Sequence, residues 1–285
     1  MFLVSGVDLV VACCQAGVIG SFPALNARTT EALDQWLDAI RQGVGSRPYA
    51  VNLIVHPSNP RLSQDLDCLQ RHRVPLVITS LGAVDSVVEQ VHSWGGLVYH
   101  DVTNAKHARK AVAAGVDGLI AVSAGAGGHA GTCHPFALIG ELQAITDLPI
   151  VLAGAISRGR EIRAAQALGA QGGYLGTAFI ATQESMASDP YKACLLDSQA
   201  ADVVYTDQVS GVPGNFIRRS LIQAGIDPAQ SGEKSLDLHT GDAASEAKAW
   251  KTIWSAGQGV GAIGQVHSTA ELVQALIKDY QAGAV

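Results

Sequence analysis

The sequence predicts an α/β fold: a (β/α)₈ barrel of the TIM type, short of its first strand, with a C-terminal helical cap. Three observations predict it. Short apolar or β-branched runs alternate with helical patterns up to about residue 180, as in a parallel sheet wrapped by helices. The helix-to-strand joints repeat one chemistry, Ala16-Gly17-Val18, Ala114-Gly115-Val116 and Leu168-Gly169-Ala170, with glycine at the left-handed stop of each helix. The strands number seven in an uninterrupted series ending near residue 176, one below the eight of a closed barrel.

Met1-Phe2-Leu3-Val4 is too short for a convincing strand and leads at once into a helix over 7–16. A strand over 18–21 precedes a helix over 29–42, and strands over 49–55, 75–79 and 96–99 come next. A helix over 104–114 has Thr103 in the N-cap position. The apolar run 116–122 reads as a buried strand, and Pro135 can open a helix at its first position. A strand over 150–153, a helix over 158–168 behind Ser157 as its cap, and a strand over 172–175 complete the series. Beyond Thr177 the pattern changes: 186–200 and 243–255 read as helices, joined by stretches such as Gly211-Val212-Pro213-Gly214-Asn215. Within this region 202–206 is the one β-like run. Ser268-Thr269-Ala270-Glu271 is a capping box opening a last helix to about Tyr280. The expected division is a barrel over 1–180, a helical cap or lid over 181–264, and a C-terminal helix within 265–285 packing back on the barrel.

Composition narrows the class. With 285 residues, 48% hydrophobic and 15% charged, the chain can bury a large core. A net charge of −6 and the lack of any Lys/Arg-rich run exclude a nucleic-acid footprint. Residues 1–16 are apolar but carry no basic residue and include Asp8, which fits neither a signal peptide nor a membrane span. The five cysteines are odd in number and Cys13 adjoins Cys14, so reduced thiols and a cytoplasmic setting are expected.

The chemistry concentrates in Ala124-Gly125-Ala126-Gly127-Gly128-His129-Ala130-Gly131-Thr132. Its glycines let the backbone approach a ligand closely, and His129 is the side chain there able to exchange protons near neutral pH. The turns Gly154-Ala155-Ile156-Ser157 and Gly176-Thr177 come after the last two strands, where barrels bind phosphate; tight turns that simply need glycine are the alternative. Asn52, polar and mid-strand, either caps the barrel mouth or contacts a ligand.

Two rival readings of the loop fail. Gly125-Ala126-Gly127-Gly128-His129-Ala130 satisfies the dinucleotide-binding pattern, but the next strand ends at Gly154 without an acidic residue. His129 and Pro135 also lie where that motif's helix should already run. A metal site at His129, Cys133 and His134 lacks a carboxylate or second Cys/His pair at ligand spacing, so no metal is expected. His56, His72, His92, His107, His239 and His267 read as surface or satisfied groups.

Together these residues resemble the nitronate monooxygenases, formerly 2-nitropropane dioxygenases, a family that extends to flavin-dependent enoyl-acyl carrier protein reductases and some NADH:quinone reductases. The family loop Ala-Gly-Gly-His-x-Gly is similar to Ala126-Gly127-Gly128-His129-Ala130-Gly131, and its Gly-Thr-Arg-Phe turn to Gly176-Thr177-Ala178-Phe179. Its late Trp-Ser-Ala-Gly segment matches Trp254-Ser255-Ala256-Gly257, and its strand-three asparagine matches Asn52. The likeness runs from Met1 to about residue 280.

The resemblance implies a TIM barrel holding FMN, its phosphate on the turns after the last two strands, with His129 as the catalytic residue beside the flavin. It implies that Asn52, Gly128, Gly154, Ala155, Gly176 and Thr177 touch FMN and that Gly257 and Gln258 return over its ring. The implied reaction is oxidation of an alkyl nitronate by O₂ to a carbonyl compound and nitrite. His129 would act either as a neutral base toward a nitroalkane or, protonated, as a hydrogen-bond donor to the nitronate. An NAD(P)H-dependent quinone or enoyl reductase is the nearest alternative, and a non-redox barrel binding a sugar phosphate is another. Expected partners are the small-molecule substrate and O₂, with neither nucleic acid nor membrane; a homodimer is the assembly the reading allows. Three departures stand out: Ala155 replaces a family glycine, Gly125 an acidic residue, and His100-Asp101 a basic one. The family's first strand ends in Ala-Pro-Met, and Met1-Phe2-Leu3-Val4-Ser5-Gly6 resembles the segment just after that strand, so the chain is expected to start late.

Overall fold

A computed structural model describes residues 1–228 and 252–282. Seven parallel strands form one curled sheet: β1 (Gly20–Pro23), β2 (Tyr49–Ile54), β3 (Leu76–Ser80), β4 (Leu97–Val102), β5 (Gly118–Val122), β7 (Ile150–Ala153) and β8 (Gly172–Tyr174), hydrogen-bonded in that order. The short β6 (Gly128–His129) leaves this sheet to join another. The helices are α1 (Val7–Gln15), α2 (Thr30–Val44), α3 (Leu62–Arg71), α4 (Asp85–Ser93), α5 (Ala105–Ala113), α6 (Pro135–Gln143), α7 (Gly159–Ala167), α8 (Thr177–Ile180), α9 (Asp189–Leu196), α10 (Arg218–Gln223) and α11 (Thr269–Ala282). All seven expected strands are present in the expected order, within three residues at each end. No helix among the described residues is long and apolar enough to cross a membrane.

Two layers of core arise from the period-2 alternation of strand side chains. Outward-facing Val51, Leu53, Val77 and Leu119 pack with Leu33, Leu37 and Ile40 of α2 and with Leu138 and Leu142 of α6, all buried. Inward-facing Ala50, Ile78, Ile120 and Ala153 form a second cluster inside the curl. The same alternation, carried to the C-terminal strand ends, turns Asn52, Ser80 and Asp101 inward on β2, β3 and β4.

Between the edge strands β1 and β8 the tie is a side-chain hydrogen bond, Ser21 Oγ to Tyr174 Oη at 3.2 Å. Residues 1–5 form a turn beside β1, not a strand. Ser5 Oγ donates to the Ser21 carbonyl (2.7 Å), and the Asn26 amide holds Met1 O, Ser5 O and the Leu3 N–H. On the other side the Met186 N–H donates to Val4 O.

Two caps fall one residue later than expected. Asn104, not Thr103, caps α5 by accepting from the His107 N–H (2.9 Å), while Thr103 Oγ1 meets His107 Nδ1 (3.0 Å). Arg158, not Ser157, is the N-cap of α7, and the Glu161 carboxylate accepts from both backbone N–H groups. A carboxylate at the third helical position reaches back to those amides and removes the need for a hydroxyl cap.

Beyond residue 180 the described chain carries strands as well as helices. The run 202–206 does form β9 (Val203–Thr206), and β10 (Gly214–Ile217) pairs antiparallel with both β9 and β6. A run of β-branched and aromatic residues fits a half-buried pleated surface, and β10 joins it to the edge that the glycine loop supplies. Of the expected helix over 243–255, residues 243–251 lie outside the described residues.

Candidate active site at the C-terminal ends of the strands

A cavity of about 950 Å³ opens at the C-terminal ends of the strands. That is near the upper end for ligand sites and large enough for a cofactor with a substrate. His129, Asn52, Gly128, Gly154, Ala155, Gly176, Thr177 and Gly257 all line it. Gln258 does not: it is exposed, and its N–H donates to Gly125 O (2.8 Å), tying the 255–258 segment to the glycine loop.

His129 reaches the cavity because β6 is clamped from outside the barrel. Gly214 and Asn215 of β10 pair with His129 and Gly128, Asn215 Nδ2 donates to Ala126 O (2.7 Å), and Tyr205 Oη donates to Ala130 O (3.0 Å). The imidazole Nε2 lies 2.9 Å from Ser210 Oγ. Burial pushes the His129 pKa down to about 4, because a cationic ring is poorly solvated there. A pKa in that range leaves the ring neutral at neutral pH.

The two phosphate-site candidates differ in detail. At the turn after β7, Gly154 has φ +134° and Ala155 φ +54°; the second is left-handed backbone that costs a residue with a Cβ about 1–2 kcal/mol. The departure from the family's glycine is therefore a strained position. Beside it, Ser157 Oγ is buried without a hydrogen-bond partner among the described residues, and Ser157 lines the cavity. At the turn after β8, Thr177 Oγ1 accepts from the Gly257 N–H (2.9 Å). A Cβ on Gly176 would lie 3.4 Å from Cγ of Met1, whose side chain borders this turn.

These features fit a phosphorylated ligand: glycine backbone on the cavity wall, an unsatisfied buried hydroxyl, and open space before Gly128, where an added Cβ would meet nothing within 4 Å. A buried hydroxyl without a partner costs free energy unless a ligand supplies one.

Two groups reach the cavity that the sequence did not mark as site residues. Asn52 Nδ2 donates to Ser80 Oγ (2.6 Å), and Ser80 Oγ donates to Asp101 Oδ2 (2.5 Å). Burial raises the Asp101 pKa from its ordinary carboxylate range to about 6. The signal was available: both are polar residues just past the expected strands over 75–79 and 96–99.

Near the loop, His134 serves as the N-cap of α6, its Nδ1 accepting from the Phe136 N–H. The other described histidines have partners, among them His72 with Asp34, His92 with Asp117 and His56 with Ser58. His239 lies outside the described residues.

Comparison with known proteins gives a consistent set. The family model described as nitronate monooxygenase matches residues 56–279. A nitronate monooxygenase of Paraburkholderia phytofirmans is 35% identical over 151 residues, covering 50% of this chain and 41% of that protein. A solved nitroalkane oxidase of Streptomyces ansochromogenes superposes with a TM-score of 0.83 at 27% identity, over 98% of this chain and 93% of that one. A point mutant of FabK from Thermotoga maritima does so with a TM-score of 0.83 at 25% identity, over 99% and 90%. The chain spans 61–62% of the length of curated relatives from Mycobacterium tuberculosis and Rhodococcus jostii.

Proposed function

The chain belongs to the nitronate monooxygenase family, and from that premise we propose that it is an FMN-dependent oxidoreductase that oxidises alkyl nitronates with O₂ to a carbonyl compound and nitrite. The observation that carries this reading is the meeting of a half-buried neutral imidazole, His129, with glycine turns and the Ser157 hydroxyl, unsatisfied among the described residues, in one cavity. FMN, when bound, supplies the electron chemistry, and the protein supplies orientation, charge and exclusion of water.

Ser157 and the backbone at Gly154, Ala155 and Gly176 hold the phosphate in this reading. Thr177 secures Gly257 at the same wall, so it acts on the cofactor pocket through that segment. Asn52 and Gly128 border the remaining volume. The neutral His129 ring, with Ser210 on Nε2, offers a hydrogen bond to a nitronate oxygen; a hydrogen bond to a charged group is worth about 1.5–3 kcal/mol.

Purified protein should be yellow, and the released cofactor should have the mass of FMN, not FAD. With a preformed alkyl nitronate and O₂ it should release nitrite. The likeness to FabK favours a test for reductase activity alongside: under anaerobic conditions NADH or NADPH should leave the flavin oxidised. Rapid bleaching by either nucleotide, with no nitrite from nitronate, would replace this function with a reductase.

A further inference from the structure

Asp101 is a carboxyl group in the cavity wall that the proposed cofactor and His129 leave without a task. It stands at the C-terminal end of β4, half-buried, and lines the same cavity as His129 and the glycine turns. One oxygen, Oδ2, accepts from Ser80 Oγ, which in turn accepts from Asn52. The other, Oδ1, is buried and has no hydrogen-bond partner among the described residues.

We infer that Asp101 is a proton acceptor of this site, taking the α-proton from a neutral nitroalkane to give the nitronate that the site then consumes. This rests on the reading that nitroalkanes and nitronates are the substrate class. In the step a C–H bond beside the nitro group breaks and its electron pair moves into the nitro group. The proton forms an O–H bond on Asp101. The negative charge passes from carboxylate to nitronate, so neither oxidant nor reductant is consumed.

Geometry and environment agree on this group. Burial takes water away from the Asp101 carboxylate and makes it more basic than one in water, and the single hydroxyl donor from Ser80 offsets this only in part. Its pKa of about 6 lies near the pH at which such a base is both ionised and effective. His129, pushed down to about 4, is the weaker acceptor. The ionisable groups that face Asp101 are few. The α-amino group of Met1 favours the carboxylate, and the Tyr174 phenol on β8 is held neutral by burial, its pKa raised to about 12. His100 on the same strand alternates to the other face, its Nδ1 against Thr79 Oγ1, though it too borders the cavity, and the paired strand β5 carries no titratable side chain.

The test is exchange, not turnover. Nitroethane in D₂O without oxygen, tracked by proton NMR, should lose its α-protons faster with enzyme than without. The catalysed rate should rise with pH along a limb near 6. Asp101→Asn should lower it by about 100-fold or more while its visible spectrum shows the flavin retained. Ser80→Ala removes the hydroxyl that stabilises the carboxylate, so the limb should move to higher pH; His129→Asn should leave the limb where it is. Exchange by Asp101→Asn at the wild-type rate, or a limb that tracks His129 and ignores Ser80, would overturn the assignment. Wild-type protein that catalyses no exchange would also overturn it, yet leave the proposed function standing if nitrite still forms from preformed nitronate. Exchange without nitrite formation would do the reverse.

Discussion

Gly176 and His129 test the site one side chain at a time. Gly176 has φ −123°, which any residue can adopt, and a Cβ there meets only the flexible end of Met1. Gly176→Val should therefore fold with an unchanged melting temperature but purify with little flavin, because the new side chain stands where the phosphate would approach. Full flavin content in that variant, read by absorbance, would remove the turn after β8 from the cofactor site. His129→Asn should keep its flavin and lose about 10–150-fold in kcat/KM, the worth of one hydrogen bond to a charged oxygen. With Asp101 as the base, the loss should be similar for nitroalkane and preformed nitronate. A much larger loss on the nitroalkane would return the proton to His129.

Among the elements, the glycine loop depends on its docking against residues 255–258. A Cβ on Gly127 would lie 2.7 Å from the Gly257 nitrogen and 2.9 Å from the Ala256 carbonyl carbon. Both are backbone atoms, so neither can rotate away. Gly127→Ala should force the two segments apart, lower the melting temperature by several degrees and release flavin; a variant as stable and as yellow as wild type would show that the docking is slack. The helix caps offer a cleaner comparison. Asn104→Ala should cost about 1 kcal/mol in chemical denaturation, the usual value for a lost N-cap, whereas Thr103→Ala should cost less because the Thr103 hydroxyl meets only side chains, the His107 ring and the Asn104 amide, and no helix N–H. The reverse order would restore Thr103 as the cap.

At the scale of the whole molecule, buried titratable groups set the pH range in which the fold is stable. His129 and His100 are both held down to about 4 by burial, from an ordinary 6.5. Their stabilisation is complete above the unfolded value and is lost as pH falls from 6.5 toward 4, since the unfolded chain takes up protons that the native one refuses. Asp101 acts in the opposite sense. Its pKa is raised from 3.8 to about 6, so its contribution is present below 3.8 and lost as pH rises through 6. Between about pH 4 and 6 these three groups give a net difference of about one proton; without Asp101 it becomes about two. Asp101→Asn should thus be more stable than wild type at pH 7, with a steeper loss of stability between pH 6 and 4.5. Denaturant midpoints across that range would show it, and parallel curves for the two proteins would mean Asp101 titrates normally.

The sequence by itself determined the sheet. Seven strands and their order were legible because a strand buried on both faces is a nearly continuous apolar run, and because Gly17, Gly115 and Gly169 mark the helix stops with φ of +96°, +82° and +102°. His129 and the glycine turns were legible for the same local reason: glycine and histidine have few other uses in such loops. Only the tertiary structure decided the rest. Asn52, Ser80 and Asp101 stand far apart in the chain, and nothing local couples them; parallel pairing and period-2 alternation bring their side chains to one wall. The antiparallel pairing of β6 with β10 was equally hidden, since a two-residue strand has no periodicity to read and its partner lies more than 80 positions away. Above all, the pKa shifts of His129 and Asp101 come from burial. Burial is a property of the packed molecule, fixed by which distant segments exclude water from a side chain.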